Sequence, residues 1–256
     1  MNSYARLDSR LNERPPEARS EDDSCQTVSQ RLDTHMEGAL ESVRRWDTAL
    51  TPAQSAAVAS GHVRRALMLR SFVDGYWRIR RTEPMIELAI DTFERRGDRR
   101  SAAFWRAHVA EEAGHDHVML ADIERIVGGP AARDAVLEGC PITPPSAALV
   151  GYFEWQVRHN DPHLLIVLRY FLETFFARID DAAATAVHEQ VNGGSATLAL
   201  HREADADHVE PCREYIDRSF TRAAIPSLLW SVDFVALSLR RSQSWAASAV
   251  LGELES

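Results

Sequence analysis

His201, Asp205 and His208 stand at i, i+4 and i+7 in the segment His201-Arg-Glu-Ala-Asp205-Ala-Asp-His208. On an α-helix these side chains share one face within about two turns. Two imidazoles and a carboxylate on one stripe can ligate iron, copper or zinc, whereas a solvated helix face would carry the same residues with no chemical role. Glu203, Asp207 and Glu210 fit the solvated reading, but Ala199, Leu200, Ala204 and Val209 leave the polar stripe narrow.

Two other segments offer partners. In His108-Val-Ala-Glu111-Glu112-Ala-Gly-His115, residues 108, 112, 115 and 119 share a helical face, with Glu111 at its edge. Glu112-x-x-His115 is the carboxylate–imidazole spacing that recurs in di-iron helical bundles, although a lone copy is common by chance. Glu173 lies in the apolar run Leu164-Leu-Ile-Val-Leu-Arg-Tyr-Phe-Leu-Glu173-Thr-Phe-Phe. A carboxylate buried there needs a cation or a proton, and either Arg169 one turn earlier or a metal ion could supply the charge. His108 is an extra donor or a hydrogen-bonded core histidine. Together the three segments offer Glu112, His115, Glu173, His201, Asp205 and His208, a set that suits two irons with positions open to dioxygen.

The elements that must carry these residues read as helices throughout; alternating β-branched strands and Asn-Gly hairpin turns are absent. Helices are expected over about 27–46, then from Thr51-Pro52 to Arg80, and from Glu83-Pro84 to Gly97. Asp98 caps a continuous helix through His108 and His115 to Val127, ended by Gly128-Gly129-Pro130. A short helix over 131–137 precedes one capped by Ser146 that runs to His159, and another runs from His163 to Val191. Asn192-Gly193-Gly194 stops it, and Ser195 opens the stripe helix, which Pro211 can bend. The last starts at Ile225-Pro226. Seven to nine helices with short connections give an all-α bundle over residues 27–250, behind a polar, flexible tail over 1–26.

The chain has 256 residues, 45 % hydrophobic, and a formal charge of −9, which argues against a nucleic-acid binder. No lysine is present, so a lysine Schiff base is excluded. Cys25, Cys140 and Cys212 form no CxxC pair, which fits a reducing cytoplasm rather than a disulfide scaffold or thiolate zinc site. No run of 18 apolar residues occurs, so no membrane span is expected, and the N-terminus lacks a signal-peptide core.

The order Glu112-x-x-His115, Glu173, His201-x3-Asp205-x2-His208 resembles the haem-oxygenase-like di-iron oxidases and oxygenases, over about residues 30–245. The ExxH form is closest to the branch that decarboxylates fatty acids to terminal alkenes. The alternative Glu-x6-His form is absent, since Met119 stands seven residues after Glu112. The resemblance implies a haem-oxygenase-like bundle whose metal residues are those six. A further carboxylate from an earlier helix is implied in some members, with Glu87 preferred over Glu83; His108 stays open as an extra donor, a residue orienting Glu112 or Asp205, or a core histidine. It implies two irons, dioxygen as co-substrate, and N-oxygenation, oxidative C–C cleavage or desaturation of a small amine, amino acid or carboxylic acid in specialised metabolism. Arg169 and Tyr170 are candidate substrate-binding residues, and Tyr76, Trp77, Trp105 and Phe176 candidate pocket walls. Expected partners are a small-molecule substrate, an external electron donor and, as one option, a second copy in a homodimer. The alternatives are a haem protein on the same fold with His35 as axial residue, a hydrolase using Cys212, and an inactive relative.

Overall fold

The computed structural model describes residues 26–179, 181–191 and 194–255, with the backbone alone at 48–49, 182–183, 202–207 and 253–255. Residues 1–25, nearly all of the expected tail, lie outside the described residues. Helix boundaries follow local chemistry. The first helix, α1 (Val28–Arg44), opens on a capping box in which Thr27 accepts from the Gln30 amide and the Gln30 side chain accepts from Thr27. A second capping box at Thr51 and Gln54 opens α2 (Pro52–Ala59). Ser60 then caps α3 (Gly61–Arg95), a helix of 35 residues.

Here expectation and structure part twice. The helix expected over 51–80 is split at Ser60, and the break expected at Pro84 is absent: α3 runs through it. Pro84 is exposed, where the loss of one backbone hydrogen bond costs least.

Asp98 caps α4 (Arg99–Glu112) by accepting from the Ser101 amide at 3.0 Å. Next come α5 (His115–Val127), α6 (Pro130–Gly139) and α7 (Pro144–His159), the last capped by Thr143 rather than Ser146. The helix expected over 163–191 is two, α8 (Leu165–Ala177) and α9 (Asp181–Gln190). Ser195 caps α10 (Ala196–Ser219), which continues through Pro211, and α11 (Ile225–Glu255) closes the chain. Eleven α-helices and no strand occur among the described residues.

α8 is apolar on all sides and sits in the centre, with Leu165, Ile166, Val167 and Phe171 buried. It packs against α10, α11 and α7, while α3 packs against α4, α5 and α7, and α1 lies on α11. The main core joins Leu32 and Met36 of α1, Phe93 of α3, Phe153 of α7, Tyr215 of α10 and Val232 of α11. By length and composition, Arg222–Gly252 is apolar enough to cross a membrane, which the sequence reading did not anticipate. Its inner residues, among them Leu228, Val235 and Leu239, are buried in the core.

Candidate metal centre

The expected continuous helix through Glu112 and His115 is interrupted. α4 ends at Glu112, Gly114 takes φ +90°, and His115 becomes the first residue of α5. A left-handed residue is cheap only as glycine, so Ala113-Gly114 turns the chain between the two donors. The pair meets across a turn rather than along one helix face. His115 Nδ1 lies 2.7 Å from Glu112 Oε2. The contact is close but not aligned as a hydrogen bond, since His115 Nδ1 is buried without a partner.

Two trios of donors form around Glu112. In one, Glu112, His115 and His201 place one donor atom each within 4.8 Å of one another; in the other, His108, Glu112 and Glu173 do the same. His201 Nδ1 donates to the Thr197 carbonyl at 2.7 Å, which leaves Nε2 as the free donor. Its ring packs between Phe176, at 4.7 Å, and His115, at 5.1 Å. Glu173 is buried as the apolar run required, and it has the nearer of its two expected partners: Arg169 Nε donates to Glu173 Oε1 at 3.0 Å. Arg169 Nη2 donates to Glu111 Oε2 at 3.1 Å, and the guanidinium sits over Phe104. His208 Nδ1 lies 3.4 Å from Glu173 Oε2. The side chain of Asp205 lies outside the described residues.

The nitrogens His108 Nδ1, His115 Nδ1 and His208 Nδ1 are buried without hydrogen-bond partners. Each faces a carboxylate instead: His115 Nδ1 stands 2.7 Å from Glu112, His208 Nδ1 3.4 Å from Glu173, and His108 Nδ1 3.9 Å from Glu111 and Glu112. Imidazole and carboxylate donors fit a transition-metal ion. The electrostatics agree. Burial alone would raise the Glu112 carboxyl, but the neighbouring His115 ring, with lesser help from His108 and His201, outweighs it and brings it to about 2. Burial lowers His108, which keeps its ring neutral and able to donate a lone pair, while Glu112 raises His115.

A cavity of about 150 Å³ opens on this cluster. His108, Glu112, Glu173 and His201 are among its polar lining, with Arg78 and Asp116, and Ile79, Ile86, Met119, Leu149, Leu168 and Leu239 are among its apolar walls. Trp105, Phe176 and Arg169 line it as expected; Tyr76, Trp77 and Tyr170 do not. The Tyr170 hydroxyl instead donates to Asp33 and accepts from Arg213 on the far side of α8, so it is not placed to bind substrate. Arg169 lines the cavity and gives Nε and Nη2 to the two glutamates. Of the two early carboxylates, the preferred Glu87 is exposed away from the cavity, and Glu83 lines it. Glu111, left at the edge of the sequence pattern, is the glutamate that joins Arg169.

The helix that carries His201 is tethered by a residue sequence reading missed. Asp122 of α5 is fully buried and accepts from the Ser195 hydroxyl at 2.9 Å and the amides of Ala196 and Thr197 at 3.1 and 2.9 Å. It thereby neutralises the N-terminus of α10 and ties it to the helix that begins with His115. The residues singled out for the rival readings lie away from the cavity lining. His35, the haem candidate, pairs through Nε2 with Asp233 at 2.7 Å and does not line the cavity. Cys212 is fully buried, and burial pushes its thiol up to about 12, so it is no nucleophile at neutral pH.

No protein-family model and no curated protein matches the chain. Solved structures do. One is a domain of unknown function with a haem-oxygenase-like fold from Shewanella denitrificans OS217, at 19 % identity and TM-score 0.68, covering 88 % of this chain and 93 % of that one. Another is a TenA homologue from Pseudomonas syringae pv. tomato str. DC3000, at 14 % identity and TM-score 0.62, covering 87 % and 94 %. The chain therefore has the haem-oxygenase-like fold expected from its sequence. At these identities the likeness carries the fold alone.

Proposed function

We propose that this protein is a non-haem di-iron oxidase or oxygenase that uses dioxygen on a small amine, amino acid or carboxylic acid. The observation that carries the reading is the pair of donor trios that share Glu112, with three buried imidazole nitrogens facing carboxylates without a hydrogen bond. Glu112, His115 and His201 would hold one ion; His108, Glu112 and Glu173 would hold the other, with His208 beside Glu173. This makes His108 a full member of the set rather than an auxiliary. Bound iron would supply the activation of dioxygen that the protein's own side chains cannot perform.

The chain's residues account for the rest. Thr197 fixes the His201 tautomer, and neutral His108 keeps a lone pair available. The aliphatic walls exclude water and accept the apolar body of a substrate, with its reactive carbon or nitrogen toward Glu112 and Glu173. Arg169 neutralises Glu111 and Glu173 while no metal is bound.

Anaerobic titration with ferrous iron, followed by metal analysis, tests the reading. About two irons per chain are expected, and His201→Ala, Glu112→Ala or Glu173→Ala should each weaken loading by at least about tenfold. Unchanged loading in all three variants would remove the assignment.

A further inference from the structure

α11 has two unlike faces. The inner face is buried in the core and reaches the cavity through Leu239. The outer face carries Trp230, Asp233, Phe234, Leu237, Arg241 and Trp245, a stripe at helical spacing. Trp230, Leu237 and Trp245 are 54 %, 44 % and 54 % exposed, and Trp155 on neighbouring α7 is 52 % exposed. These are all the exposed large hydrophobic side chains among the described residues, and they fall on two helices packed together. Scattered exposed apolar residues are ordinary; three along one stripe of a single helix, beside an aromatic cluster, mark a surface that something covers. The aromatic part is already ordered. Trp230 stacks on Phe234 at 5.4 Å with 5° between the ring planes, and Tyr152 flanks both at 5.2 and 4.8 Å. Rings held in place lose little freedom when covered, which favours them as binding anchors.

The stripe carries one acid, Asp233, and one base, Arg241, of opposite sign. We propose that a second copy of this chain covers the face, with the two α11 helices antiparallel about a two-fold axis at Leu237. A two-fold interface presses one patch against itself, so its charges must be self-complementary. In that register a residue n positions before 237 meets the one n positions after it in the other copy. Asp233 then meets the partner's Arg241, four positions to either side, and the pair forms twice. Trp230 comes opposite the partner's Ser244 and beside the partner's Trp245. Asp233 is held at the helix surface by His35. A lipid surface would instead have to accommodate Asp233 and Arg241 in the middle of the apolar stripe, which is unfavourable.

Sedimentation of the full-length protein over a range of concentrations tests this. A dimer is expected, and Leu237→Arg should raise its dissociation constant by about tenfold or more without changing helical content. Asp233→Arg and Arg241→Asp should each weaken the dimer, and the double swap should restore it. Leu237→Cys should cross-link two copies through position 237 under mild oxidation, with the wild-type protein as control. A monomer at every concentration, a dimer indifferent to Leu237→Arg, or a double swap no better than the single ones would overturn the proposal. So would a monomer that co-sediments with phospholipid vesicles, which would make a membrane the occupant.

Discussion

Glu173 and Arg169 show how one residue pair can hold a site together before it is complete. A carboxylate in the middle of α8 has no water to solvate it, and Arg169, buried one turn away, is the counter-charge that the folded protein supplies. Removing one member of a buried pair costs about 3–5 kcal/mol, because the survivor is left as an isolated buried charge. Arg169→Met should therefore destabilise the metal-free protein by roughly that amount. If a metal takes over neutralisation of Glu173, saturating ferrous or manganous ion should restore much of the loss. Denaturant midpoints measured with chelator and with metal decide it. An equal loss in both conditions would mean that no cation replaces the guanidinium. Of the individual donors, Glu112, Glu173 and His201 were legible as residue types at telling intervals. The role of Glu111 as second acceptor for Arg169 was not, because the guanidinium comes from α8, 58 residues further along the chain.

At the scale of elements, the caps were the readable part. Thr27, Thr51, Asp98 and Ser195 each satisfy amide groups that a helix start leaves open, and such signals are local. The break between Glu112 and His115 was missed because the polar periodicity continues across it. Gly114 was the warning, since glycine is the residue that tolerates φ +90°. Asp122 matters most at this scale, because it fixes the start of α10 against α5. Asp122→Ala should cost about 1–2 kcal/mol for the lost cap. It should also raise hydrogen exchange in the amides of residues 195–201 and weaken metal loading, although residue 122 belongs to neither trio. Exchange unchanged in that segment would show that α10 is positioned by packing alone.

Across the whole molecule, Asp74 is the buried link between three helices. Its carboxylate accepts from the Thr143 amide, from Ser146 at the start of α7 and from Ser242 of α11, and it pairs with Arg78 on its own helix. Burial alone would raise its pKa; Arg78 and the three hydrogen bonds outweigh burial and hold it below the ordinary 3.8. A lowered folded-state value means that the contribution is complete above the unfolded value and is lost as pH falls through the folded one. Acid unfolding of the wild-type protein should therefore steepen below about pH 4. Asp74→Asn should be less stable at neutral pH and shallower in that acid range. Parallel acid titrations of the two proteins, followed by circular dichroism, would show otherwise if the slopes coincide.

What the sequence determined by itself was the set of local choices: helix throughout, most helix starts, the apolar character of α8, and six candidate donors in a recognisable order. These depend on periodicity and on side chains within a turn of one another, and both are written along the chain. The tertiary structure decided which donors share a point in space. It drew Glu112 into both trios, brought His108 in beside Glu173, turned Tyr170 away toward Asp33, and chose Glu83 over Glu87 at the cavity. It also left the outer stripe of α11 uncovered. Convergence of this kind is set by helix rotation and by the Gly114 turn, and a small change in either moves a side chain from the cavity to the surface. Spacing along one helix cannot report such a rotation; only the packing of α4, α5, α8 and α10 against one another fixes it.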